Sequence, residues 1–186
     1  MNFPPRVATD ITTAEAETIG DYWRERAVQH TQDSYAGIPL SKFPEDLRTY
    51  EHLLWDQQPD VVVEIGTQHG ASTLWFRDRL EAQRRYRPGA PAPKIVAVDI
   101  DTAATEANLE RVDPSWRESI TVIQGDVCSD ELAAAVKSAV PEGANTFVIE
   151  DSAHVYDTTL AALKLYSDLV PVAGYFIVED GCVDVE

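Results

Sequence analysis

Val61-Val62-Val63-Glu64-Ile65-Gly66-Thr67-Gln68-His69-Gly70-Ala71-Ser72 reads as a buried strand that runs through a glycine turn into a helix. Its β-branched half is apolar on both faces, as a strand covered on both sides must be. Four further runs share that character: Lys94 to Ile100, Ile120 to Gln124, Thr146 to Asp151 and Tyr175 to Asp180. Between them lie helix-like stretches, Ala71 to Arg85, Thr102 to Val112, Asp130 to Val140 and Thr158 to Val170. Asp130 and Glu131 suit a helix first turn, and Pro171 and Gly174 punctuate the end of the last helix. Alternating strands and helices predict a doubly wound, mostly parallel α/β sheet of the Rossmann-like class.

Upstream, two helices are expected around Thr13–His30 and Pro44–Gln57, joined by an extended linker, Gly37-Ile38-Pro39-Leu40. This is too little for a separate domain. The 186 residues read as one domain, with residues 1–58 as a helical cover and 59–186 as the α/β core. The stretch from Tyr86 to Pro93 reads as a surface loop.

Composition narrows the function classes. The formal charge is −17, from 32 acids against 15 Lys and Arg. From Asp99 to Glu186 there are 18 acids and only four basic residues, Arg111, Arg117, Lys137 and Lys164. Such a surface repels phosphate backbones, so a nucleic-acid partner is not expected. No run of about 18 apolar residues occurs, so no membrane span is expected. Met1 to Pro5 lacks the basic and apolar regions of a secretory signal. Cys128 and Cys182 lie outside any CxxC pair, which suits reduced thiols in a cytoplasmic protein.

In open α/β sheets ligands sit outside the carboxyl ends of the strands. There, Gly66 and Gly70 allow a tight turn and close approach of backbone to a ligand, with Thr67 and Ser72 beside them. Ordinary turns also use such glycines, so the neighbouring strands must decide. The second strand ends in Asp99, placed to accept bonds from ribose hydroxyls. The third is followed by Gly125-Asp126, where an acid can meet an exocyclic amine. A dinucleotide fingerprint wants a third glycine and an acid about 20 residues on. The glycine is missing, and Asp99 lies 33 residues after Gly66. S-adenosylmethionine (SAM), which needs no diphosphate cradle, is therefore favoured over a nicotinamide dinucleotide.

The fourth and fifth strands end in Glu150-Asp151-Ser152-Ala153-His154 and Glu179-Asp180. As neighbours in a sheet these ends lie about 5 Å apart. Asp151, Glu179 and Asp180 would then raise one another's pKa values unless a cation intervenes. Hard oxygen ligands select Mg²⁺ or a similar ion. His154, one short turn beyond Asp151, is the candidate general base. His69 is a weaker candidate; His30 and His52 fall on the upstream helices.

With these motifs in order, the chain resembles the cephalosporin hydroxylase / rhamnosyl O-methyltransferase family of class I methyltransferases. The resemblance runs from Gly37 to Asp180, about three-quarters of the sequence. It rests on the stretch from Gly37 to Leu47, VVVEIGTQHGAST, VAVDID, QGD, EDSAH and YFIVEDG. That family is similar to Mg²⁺-dependent methyltransferases of macrolide sugars. The resemblance implies that Glu64, Gly66, Asp99 and Asp126 bind SAM. It implies that Asp151, Glu179 and Asp180 hold the metal and that His154 is the base. Some relatives carry a polar residue where this chain has Ala153. The implied activity is O-methylation of a small molecule, by analogy a sugar hydroxyl of a glycosylated natural product such as an antibiotic. A nicotinamide-dependent oxidoreductase or epimerase, or a SAM-binding protein without catalysis, is the alternative. The oligomeric state stays open, a homo-oligomer included. Class I methyltransferases usually finish with two further strands as an edge hairpin, and those strands are not expected in the sequence given, which stops at Glu186.

Overall fold

The computed structural model describes residues 32–180, together with Thr18 and Arg26. Apart from those two, the expected helix at residues 13–30 lies outside the described residues, as does Cys182. Seven strands follow in chain order: β1 (Ser34–Tyr35), β2 (Ile38–Pro39), β3 (Val61–Ile65), β4 (Lys94–Asp99), β5 (Ile120–Gln124), β6 (Thr146–Glu150) and β7 (Phe176–Val178). Helices α1 (Pro44–Gln57), α2 (Ala71–Arg84), α3 (Ala103–Val112), α4 (Asp130–Ala139) and α5 (Tyr156–Tyr166) connect them.

The main sheet has the order β5-β4-β3-β6-β7, and every pair in it is parallel. This is the doubly wound, Rossmann-like architecture that the alternation of strands and helices predicts. Strand order reverses between β3 and β6, which opens a crevice beyond their carboxyl ends.

The period-2 alternation of side chains sorts the strands' residues between two cores. Val62, Ile95, Ala97, Phe147 and Ile149 face one way. They pack with Leu54 of α1, Leu74 and Phe76 of α2 and Leu109 of α3. Val61, Val63, Val96, Val98 and Val148 face the other way, against Leu132 and Val136 of α4 and Ala162 and Tyr166 of α5. Burial on both faces explains the continuous apolar runs.

The segment expected to be an extended linker is instead a hairpin. Ser34 pairs with Pro39 and Tyr35 with Ile38, and both turn residues, Ala36 and Gly37, have positive φ. That backbone handedness matches the twist of a two-residue hairpin loop. Ile38 and Leu40 then enter the core, which fixes where the next residues, Ser41 and Lys42, emerge. The last expected helix begins earlier and ends sooner, at Tyr156–Tyr166, and continues as a 3₁₀ turn over Ser167–Leu169.

Candidate active site

A cleft of about 560 Å³ lies at the carboxyl ends of the strands, within the range of small-molecule sites. Its lining includes Gly66, Thr67, Ser72, Asp99 and Asp126, together with Asp151, His154 and Asp180. The segment Pro39 to Lys42 forms a further wall.

Two expected cofactor residues stand behind the wall and not on it. Glu64 is fully buried and accepts a 2.5 Å hydrogen bond from the Thr73 hydroxyl of α2. Burial pushes its carboxyl up to about 7, against the opposing pull of Lys42. Gly70 is the N-cap of α2, with φ 82°, and packs against Thr105 of α3. Gly66 holds the turn itself: a Cβ there would lie 1.9 Å from the Asp151 carbonyl oxygen.

Asp99 is built into that turn. Its Oδ2 accepts from the backbone N–H groups of Thr67 and Gln68, both at 2.8 Å. Its Oδ1 accepts from the N–H of Asp101 at 3.2 Å. Although burial pushes the other way, these bonds hold its carboxyl below the usual range, so it presents a fixed negative charge. Asp126 is exposed, and its Oδ1 accepts from Cys128 N–H at 2.9 Å. Ile100, 67% exposed, adds an apolar surface beside Asp99 on the lining.

Strand β7 stops at Val178, and Asp180 takes a left-handed φ of 52°. Glu179 and Asp180 thus leave the strand in different directions. Asp180 Oδ2 lies 3.5 Å from His154 Nε2, and Asp151 Oδ1 lies 3.7 Å from the same nitrogen. His154 too has a left-handed φ, 54°, a conformation that costs energy in a non-glycine residue and recurs at functional sites. Ligand atoms of Asp151, His154 and Asp180 all lie within 4.8 Å of one another. Two hard oxygens and an imidazole nitrogen suit a divalent cation.

Glu179 turns elsewhere. Its Oε1 accepts from the Lys42 ammonium and from the Tyr50 hydroxyl of α1. Lys42 also donates to Asp151 Oδ2. Burial raises the Asp151 carboxyl to about 6, opposed by Lys42 and reinforced by Glu179. For Lys42 burial pulls the ammonium pKa down, yet the Glu179, Asp151 and Glu64 carboxylates together hold it above its ordinary value. Sequence reasoning missed Lys42 and Tyr50, which no local motif marks. It also missed Glu150, fully buried, which accepts from the Ser152 N–H and hydroxyl and from Thr159 of α5. That carboxylate anchors the loop carrying Asp151 and His154.

Known proteins resemble this chain in sequence and fold. A rhamnosyl O-methyltransferase of Mycobacterium tuberculosis is 29% identical over 159 residues, 83% of this chain and 59% of the relative. The chain thus spans about three-fifths of the length of the curated relatives it matches. Among solved structures, a cmcI complex described as Mg-SAM is 28% identical, with TM-score 0.63, over 81% of this chain and 58% of that one. A cmcI complex with SAH aligns at 24% identity and TM-score 0.63, over 88% of this chain and 77% of that one, a likeness of fold. A model of the family described as Rhamnosyl O-methyltransferase/CmcI matches residues 27–186, a span that takes in the whole cleft, and to that family the chain belongs.

Proposed function

We propose that this chain is a SAM-dependent O-methyltransferase that uses a divalent cation and acts on a hydroxyl of a sugar-bearing small molecule. One observation carries the reading: Asp151, His154 and Asp180 gather on the lining of the same cleft that Gly66, Asp99 and Asp126 line. A methyl donor and an acceptor hydroxyl would meet between them. The Mg-SAM complex of cmcI supports the donor and the ion, and the rhamnosyl relative supports a sugar acceptor.

Asp99 would hold ribose hydroxyls through its remaining lone pairs, with Asp126 at the base and Ile100 against its face. Asp151 and Asp180 would hold the cation, and Glu179 would join them only by leaving Lys42 and Tyr50. SAM when bound supplies the methyl on its sulfonium, and a divalent ion when bound supplies charge that acidifies a hydroxyl. One proton must then leave the acceptor, and His154 Nε2 would take it. A second reading has a specific support: that same nitrogen lies close enough to both carboxylates to be a ligand itself.

Incubation with methyl-labelled SAM and rhamnose-bearing acceptors tests the proposal. Label should enter the acceptor with Mg²⁺ and not with chelator; full transfer in chelator contradicts the metal assignment. His154→Ala separates the two roles of the imidazole. As a base, its loss lowers turnover by about 10²–10⁴-fold at unchanged metal affinity. As a ligand, its loss weakens metal binding.

A further inference from the structure

Lys42 is the one buried cation on the lining of the cleft among the described residues, only 3% exposed. A buried ammonium is tolerated only when carboxylates receive its donors. Here the receivers are Asp151 Oδ2 and Glu179 Oε1, from the ends of two neighbouring strands. The lysine is aimed from outside the sheet. Ile38 and Leu40 pin the chain before it in the core. Leu47 packs against that core and Tyr50 lies within it, pinning the chain after it. Tyr50 also donates to the same Glu179 oxygen. Asp46 of α1 faces this cluster as well, its carboxyl raised by burial and by Glu179 and Asp180, with Lys42 opposing.

Resting on the metal-dependent reading above, we infer that Lys42 is a resident cation of the site, and that it and a divalent ion exclude one another. The ammonium takes one oxygen from each of two carboxylates expected to hold the ion. It leaves only Asp151 Oδ1 and Asp180 turned toward His154. A divalent ion that gathers Asp151, Glu179 and Asp180 competes with the ammonium for the charge of Asp151 and Glu179, whose Oδ2 and Oε1 the ammonium holds, and favours its departure. Lys42 thus keeps the carboxylates compatible with burial while lowering the site's affinity for metal. It is a positioning residue with a countercharge, and it takes no part in methyl transfer.

Mn²⁺ alone is the probe, titrated by calorimetry into the full chain and into Lys42→Gln. Lys42→Gln should bind Mn²⁺ about tenfold or more tightly than wild type. Its thermal midpoint should rise more on Mn²⁺ addition, as binding linkage requires. A loss of stability equal in chelator and in saturating Mn²⁺ marks a packing role only and overturns the inference. So does unchanged or weaker Mn²⁺ affinity in the variant while wild type still binds. Absence of Mn²⁺ binding to wild type overturns the metal reading itself, and the inference with it. A second measurement needs no variant. Acylation of Lys42 by an amine-reactive reagent, followed by peptide mass analysis, should be faster in saturating Mg²⁺ than in chelator. Unchanged or slower labelling overturns the exclusion.

Discussion

Glu64 and Glu150 show how two buried carboxylates in neighbouring strands come to differ. Glu64 is paired with Ile149, and Ile65 with Glu150, so the two acids point to opposite faces of the sheet. Glu150 accepts from three donors on the loop and helix that follow it. Glu64 faces α2, and burial leaves its carboxyl at about 7 against an ordinary value of 4.5. The folded chain therefore keeps a proton that the unfolded chain releases. Its stabilising contribution is whole below about pH 4.5 and is lost as the pH rises through about 7. Glu64→Gln carries no charge at any pH. Its stability relative to wild type should rise by on the order of 3 kcal/mol from about pH 5 to about pH 8. Urea unfolding of both proteins at the two pH values checks this. A constant difference between them would contradict the raised pKa.

Among the elements, the turn from β3 into α2 constrains the site most tightly. The Gly66 N–H donates to Val98 O and the Asp151 N–H to Ile65 O, both at 2.8 Å, so three strand ends are tied together at one residue. Gly66→Ala would set a methyl against the Asp151 carbonyl at a φ of 91°. No rotamer relieves a backbone clash, so the variant should lose more than about 2 kcal/mol. Loss of SAM binding should accompany it. A denaturation midpoint equal to wild type would contradict the packing described. This turn was legible in sequence because a β-branched run, two glycines and a helix start follow one another. The strands were legible too, each within two residues at either end, because burial on both faces demands apolar runs. The β1–β2 hairpin was not, since two-residue strands have no period to read. Lys42 and Tyr50 escaped for a related reason. Their partners Asp151 and Glu179 lie more than 100 residues away, and Ser41-Lys42-Phe43-Pro44 looks locally like a solvated helix entry. Glu179 and Asp180 were placed at the correct sheet end, but the bend at Asp180 that separates their directions leaves no mark in the sequence.

For the molecule as a whole, charge and topology converge on one place. Among the described residues most of the acids are exposed, while Asp151, Glu179 and Asp180 follow the carboxyl ends of β6 and β7, beside the point where the order of the sheet reverses. Among the described residues no helix is long and apolar enough to cross a membrane, and the loop that carries Ser152, Ala153 and His154 lines the cleft. SAM is the ligand proposed for this cleft. Calorimetric titration of SAM, and separately of NAD⁺, into wild type and Asp99→Ala tests it most directly. Wild type should bind one SAM per chain, Asp99→Ala should bind it about tenfold or more weakly, and NAD⁺ should give no heat. Equal SAM affinity in the two proteins, or binding of NAD⁺ in place of SAM, would contradict it.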